Sequence, residues 1–121
     1  MKLEINIRID RPGSSLAADN QEATRVLATL HNYFGDINAQ RIGRQIEGPN
    51  DLELHDVMWA EIDAWPLKPA MNRLHTIAAV LGRDCIAVYL PSSDTGSLVG
   101  PVTQGYGRFD IDRFVQPLVA Y

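Results

Sequence analysis

The sequence predicts an α+β fold, with an antiparallel sheet carrying two helices on one face. Three observations lead there. Residues 2–10 alternate apolar and polar side chains without a break, as a strand with one wet face requires. Two later segments repeat apolar residues at steps of three and four, the spacing that stacks side chains along one side of a helix. The segments follow one another as strand, helix, strand, strand, helix, strand. The 121 residues, 45% hydrophobic and 21% charged, suit a single domain built on one core, with residues 1–90 as that core and 91–121 as a carboxyl-terminal extension. Seven prolines and nine glycines are near ordinary usage, so neither a collagen-like nor a broadly disordered chain is expected.

In the first strand Leu3, Ile5, Ile7 and Ile9 point one way, and Lys2, Glu4, Asn6, Arg8 and Asp10 the other. One solvated face argues against an all-parallel doubly wound sheet, which buries both. Pro12-Gly13-Ser14-Ser15 then forms a turn. The first helix carries Ala23, Val26, Leu27, Leu30, Tyr33 and Phe34 on one stripe. Asp19 with Glu22 resembles a capping box, Ser15 would start the helix a turn earlier, and Gly35 stops it. Ile37 to Glu47 reads as an edge strand, with a short helix fitting nearly as well.

Gly48-Pro49-Asn50-Asp51 signals a turn. From Val57 to Trp65, Met58, Ala60, Ile62 and Ala64 alternate with Trp59, Glu61 and Asp63, a second half-wet strand. Pro66 and Pro69 end it and open the second helix, since proline at a first helical position lacks a donor that had no partner anyway. Ala70, Met71, Leu74, Ile77, Ala78 and Leu81 form the stripe of this helix, Asn72, Arg73, His75 and Thr76 lie off it, and Gly82 is the stop. Cys85 to Leu90 is a short buried strand. Pro91 to Arg108 reads mostly as loop or hairpin, where only Ser97 to Val102 could add a strand. Phe109 to Val115 can form a last helical turn capped by Asp110 and limited by Pro117. The order β-α-β-β-α-β is the split βαβ, or ferredoxin-like, plan. Right-handed crossovers place the first strand and the Val57 strand in the centre and the Ile37 strand on an edge.

A formal charge of -4 and a pI near 5.2 leave no general basic field, which excludes nonspecific nucleic-acid binding. Cys85 is the single cysteine and cannot form an internal disulfide; its apolar run suits a buried thiol. Charges interleave from the amino terminus and no apolar run reaches the length of a signal segment or bilayer span, so a soluble cytoplasmic protein without membrane contact is expected.

No cofactor or metal is expected. His31, His55 and His75 lack a second ligand at helical metal-site spacing. Asp51, Glu53, His55 and Asp56 crowd one turn, which reads as a wet hairpin approach. Cys85 has no base nearby, Ser92 and Ser93 lack a nucleophile elbow, and the acid pairs Glu61 with Asp63 and Asp110 with Asp112 lack a pocket.

Two groups of residues look like binding surfaces. The glycine-rich tail could turn backbone N–H groups toward a phosphate beside Ser93, Thr95 and Arg108, although without a Walker lysine or G-x-G-x-x-G a turn-rich loop is the plainer reading. Tyr106 with Arg108 is its most ligand-like pair, because an aromatic face and a guanidinium together suit a base or a partner side chain. The open sheet face offers Trp59 among Glu61, Asp63, Glu4, Asn6 and Arg8. An RNA-recognition face is excluded there by the single aromatic and the acidic neighbours, whereas Trp and Arg are common protein-binding anchors. Half-buried packing is the alternative for Trp59 and Trp65.

The stretch Leu81-Gly82-Arg83-Asp84-Cys85-Ile86-Ala87-Val88-Tyr89, with Leu98-Val99-Gly100-Pro101 and Phe109-Asp110, resembles the carboxyl half of small phage and mobile-element proteins, anti-CRISPR and other anti-defence inhibitors among them. The resemblance spans about a third of the chain and implies occupation of a partner's surface or sequestration of a signal nucleotide. The expected function is therefore a non-catalytic binding protein, a homodimer or higher oligomer that engages a protein partner through Trp59, Glu61 and Arg8 and the carboxyl-terminal loop. The alternatives are a binder of a small nucleotide-like ligand, held by Ser93, Thr95, Tyr106 and Arg108, and a small enzyme of the dimeric α+β-barrel kind.

Overall fold

The alternation at the amino terminus becomes β1 (Lys2–Arg8), with Leu3, Ile5 and Ile7 essentially inaccessible and Ile9 continuing the same row. The computed structural model describes residues 2–47, 52–63, 66–83, 86–92 and 95–100. Arg11 to Ser14 closes a reverse turn through Ser14 N–H to the Arg11 carbonyl at 2.9 Å, with Pro12 second and Gly13 third at φ 75°. Proline fixes the second position of such a turn and glycine tolerates the positive φ of the third.

Helix α1 (Leu16–Phe34) is capped by Ser15, whose hydroxyl accepts from Ala18 N–H at 3.1 Å. The earlier of the two starts is therefore the one used, and Asp19 and Glu22 lie inside the helix. Helix α2 (Leu67–Leu81) has Pro66 at its N-cap and Gly82 in the left-handed conformation just beyond it, where a Cβ would be strained. Val26 and Leu30 from α1, and Met71, Leu74 and Ile77 from α2, close over the β1 row in one continuous core.

Between and after the helices lie β2 (Asn38–Glu47), β3 (Leu52–Asp63), β4 (Ile86–Leu90) and β5 (Thr95–Val99). All pairings are antiparallel, in the order β2-β3-β1-β4-β5. The ambiguous segment after α1 is thus the edge strand, and β1 and the Val57 strand are neighbours inside the sheet, as expected. Both helices contribute to the core on one sheet face.

Four expectations need correction. Strand β3 starts at Leu52 rather than Val57, because the hairpin ladder with β2 runs on to Glu47↔Leu52. Leu54 there is 70% exposed, which is why no apolar alternation announced it. Glu53, His55 and Asp56 are consequently strand residues, not a turn cluster, and the adjacent His55 and Asp56 face opposite sides. The fifth strand begins at Thr95, two residues earlier than Ser97, placing Thr95 in the ladder opposite Leu90. His75 is buried, with its Nδ1 hydrogen-bonded to the Gly100 carbonyl, because the end of β5 packs against α2 on the side left polar by the sequence pattern. Cys85, Trp65, the turn at 48–51 and the helical turn expected at 109–115 lie outside the described residues.

Candidate functional site

The sheet face turned away from the helices is assembled by register. Gln40, Trp59, Asn6, Ala87 and Leu98 are successive cross-strand partners from β2 to β5. Asn38, Glu61, Glu4, Tyr89 and Gly96 form the next row, and Ile42, Val57 and Arg8 another on the opposite side. Period-two alternation leaves these side chains no access to the core beneath α1 and α2. The face is therefore mixed: Trp59, Tyr89 and Ile42 are half-buried, Leu98 is 57% exposed, and charges flank them.

Of the predicted binding residues, this arrangement brings Trp59, Glu61 and Arg8 onto one face of adjacent strands. They do not pair with one another. Lys2 Nζ lies 3.8 Å from Glu61, and Arg8 Nε donates to Asp10 Oδ1 at 3.2 Å. Thr95 sits on β5 at the sheet's far edge, while Ser93, Tyr106 and Arg108 lie outside the described residues. Asn6 Oδ1, in the Trp59 row, is buried and accepts no hydrogen bond. Val57, on the same face, is only 2% exposed.

A second cluster gathers where β1 ends, α1 begins and α2 stops. Glu22 on the first turns of α1 is its hub: Arg25 Nε donates to it at 2.6 Å, Arg83 reaches it at 2.8 Å and Arg11 at 3.8 Å. The Arg25 hydrogen bond, opposed by burial and reinforced by the charges of Arg83, Arg25 and Arg11, holds the Glu22 carboxyl below the usual range. Asp10 accepts from Arg8 and from Asp56 N–H at 3.1 Å, and lies 3.2 Å from His55 Nδ1. Burial pushes the Asp10 carboxyl up, but the hydrogen bonds from His55, Arg8 and Asp56 together outweigh it and leave it low. Two adjoining clefts of about 310 and 240 Å³ open here, with Arg11 on the wall of both.

Sequence reasoning missed this cluster. Arg8, Arg11, Arg25 and Arg83 are scattered along the chain, and only the fold brings them together. The sole trace in the sequence is Arg8 and Arg11 bracketing the end of an alternating run just before a Pro-Gly turn. A net negative charge also hid it, because an overall balance does not reveal a local excess.

Chemically, the sheet face can bury apolar area against a flat surface, and the arginine cleft can hold an anion. Among the described residues no group of three or more His, Cys, Asp or Glu side chains could hold a metal ion. Nor is any described helix long and apolar enough to cross a membrane. Compared with known proteins, the chain matches no family model and no curated protein.

Proposed function

We propose that this is a non-catalytic binding protein whose contact surface is the sheet face opposite the helices. The observation that carries the reading is the cross-strand row ending in Leu98, which sets Trp59 and an aliphatic side chain 57% exposed in a line across β2 to β5. Aromatic anchors amid a polar surround are the usual composition of a protein interface. The pairing β2-β3-β1-β4, with β5 added outside β4, supports reading the core as the ferredoxin-like plan, in which such a face is available for docking. The proposed setting is the cytoplasm.

The first occupant to test is a second copy of the chain. Lys2 and Arg8 with Glu4, Glu61 and Asp63 supply both signs of charge around Trp59, as an isologous contact requires. Light scattering over a concentration series should show association, and Leu98→Asp should abolish it without lowering the melting temperature. A strict monomer with Trp59 open to a fluorescence quencher would assign the face to a foreign protein, the inhibitor-like role that the resemblance in the carboxyl half implies. Capture from the native host with wild-type and Leu98→Asp baits then reads that out. Association or capture indifferent to both Leu98→Asp and Trp59→Ala would sink the reading.

A further inference from the structure

Arg83 is a largely buried guanidinium just beyond the end of α2. Its side chain is only 10% exposed, and it reaches Glu22 at 2.8 Å and the Ile9 carbonyl at 3.4 Å. Its Nε is buried without any hydrogen-bond partner. Because that Nε is closed to solvent, an anion in the adjoining cleft would meet the Arg83 guanidinium through its terminal nitrogens, the Nε–H reporting the change beside it. The smaller cleft has Arg83 on its wall, together with Arg8, Arg11, Asp10, Pro12 and Gly82. With Glu22 and Arg25 behind it counted in, four arginines stand against two carboxylates, Asp10 and Glu22, an excess of two positive charges around that space.

We propose that the cleft between the β1–α1 turn and the end of α2 binds a phosphomonoester dianion, with Arg8, Arg11 and Arg83 as its ligands. Charge and geometry agree on the class: guanidiniums suit phosphoryl oxygens as multi-donor planar groups, and the excess of two charges matches a dianion rather than the single charge of a phosphodiester. Burial already disfavours the charged form of Arg83, and although Glu22 counters this, Arg11, Arg25 and Arg8 add repulsion, so its pKa is pressed down from the arginine norm. An anion in the cleft would relieve that repulsion. The cleft shares Arg8 with the sheet face, but Leu98 and Trp59 do not line it, so Arg11 and Arg83 separate the two sites.

The test uses the full chain, labelled with nitrogen-15, titrated with methyl phosphate or dimethyl phosphate at one fixed ionic strength near neutral pH. The expected result is a saturable shift of the Arg83 Nε–H resonance with methyl phosphate, and binding of the diester at least about tenfold weaker. Arg83→Gln endangers the fold, so the variant that decides is Arg11→Gln, whose side chain is 55% exposed. It should weaken methyl phosphate at least about tenfold, the scale of a charge-assisted hydrogen bond. Lys68→Gln, at the opposite end of the 15-residue α2 and so roughly 20 Å away, should change nothing. Absence of a saturable shift, equal affinity for the diester, or full affinity in Arg11→Gln would each overturn the proposal.

Discussion

Glu22 is one side chain serving three arginines, and its removal should be felt by all of them. Its side chain is 16% exposed, so Glu22→Gln keeps the shape but deprives Arg83 of its counter-charge, at a cost of about 1 to 3 kcal/mol in denaturant unfolding. The pH dependence follows from the same contacts. A carboxyl whose folded-state pKa is lowered stabilises the fold above its unfolded pKa, and that stability is lost as pH falls through the folded value. Glu22 and Asp10 are both lowered, so stability should be full at neutral pH and decline below about pH 4. Glu22→Gln should make that decline shallower; an unaltered acid limb would show that the carboxylate has no such role. Leu74, fully inaccessible in α2, is the complementary apolar case. Leu74→Ala should cost about 2 to 5 kcal/mol, and an unchanged melting midpoint would contradict its place in the core.

Helix α1 shows how an element is specified and where its specification hides. The Ala23, Val26 and Leu30 stripe was plain in the sequence, since burial on one side forces a period near 3.6. Its start was not, because Ser15 and Asp19 are both good caps and the choice between them depends on the turn delivered by Pro12 and Gly13. Ser15→Ala should therefore destabilise the protein by about 1 kcal/mol, measured by thermal melting; a larger loss in Asp19→Ala would restore the later start. The strands divide in the same way. β1 alternates because one face lies under both helices, whereas the outer ends of β2 and β3 extend to the 70% exposed Leu54 and carry no such pattern. β5 was half seen for a related reason: a five-residue strand containing glycine has little signal of its own, and its place comes from pairing with β4. Of the binding surfaces, the Trp59 face could be read from alternation in β1 and β3. The arginine cleft could not, since no local rule links Arg83 to residues in β1 and α1.

At the scale of the whole molecule, the order β2-β3-β1-β4-β5 puts the earliest strand of the sequence in the middle of the sheet. Lys2 is paired with Asp63, and Glu4 with Tyr89, so both partners of β1 lie far along the chain. The β2–β3 hairpin, by contrast, closes on itself, with Glu47 opposite Leu52. Closing a long loop before any contact rewards it is slow, so distant pairings form late. During synthesis the apolar row Leu3, Ile5, Ile7 and Ile9 therefore leaves the ribosome before α1, β3, α2 and β4, which cover and flank it. The hydrogen-exchange consequence is specific: on refolding, amides of the β2–β3 hairpin should gain protection before those of β1. Simultaneous protection would mean that β1 is part of the nucleus. The same placement makes a late strand, β4, the one that completes the first, so a chain stopped ahead of β4 would leave one side of β1 unpaired and prone to joining the edge of a neighbouring chain.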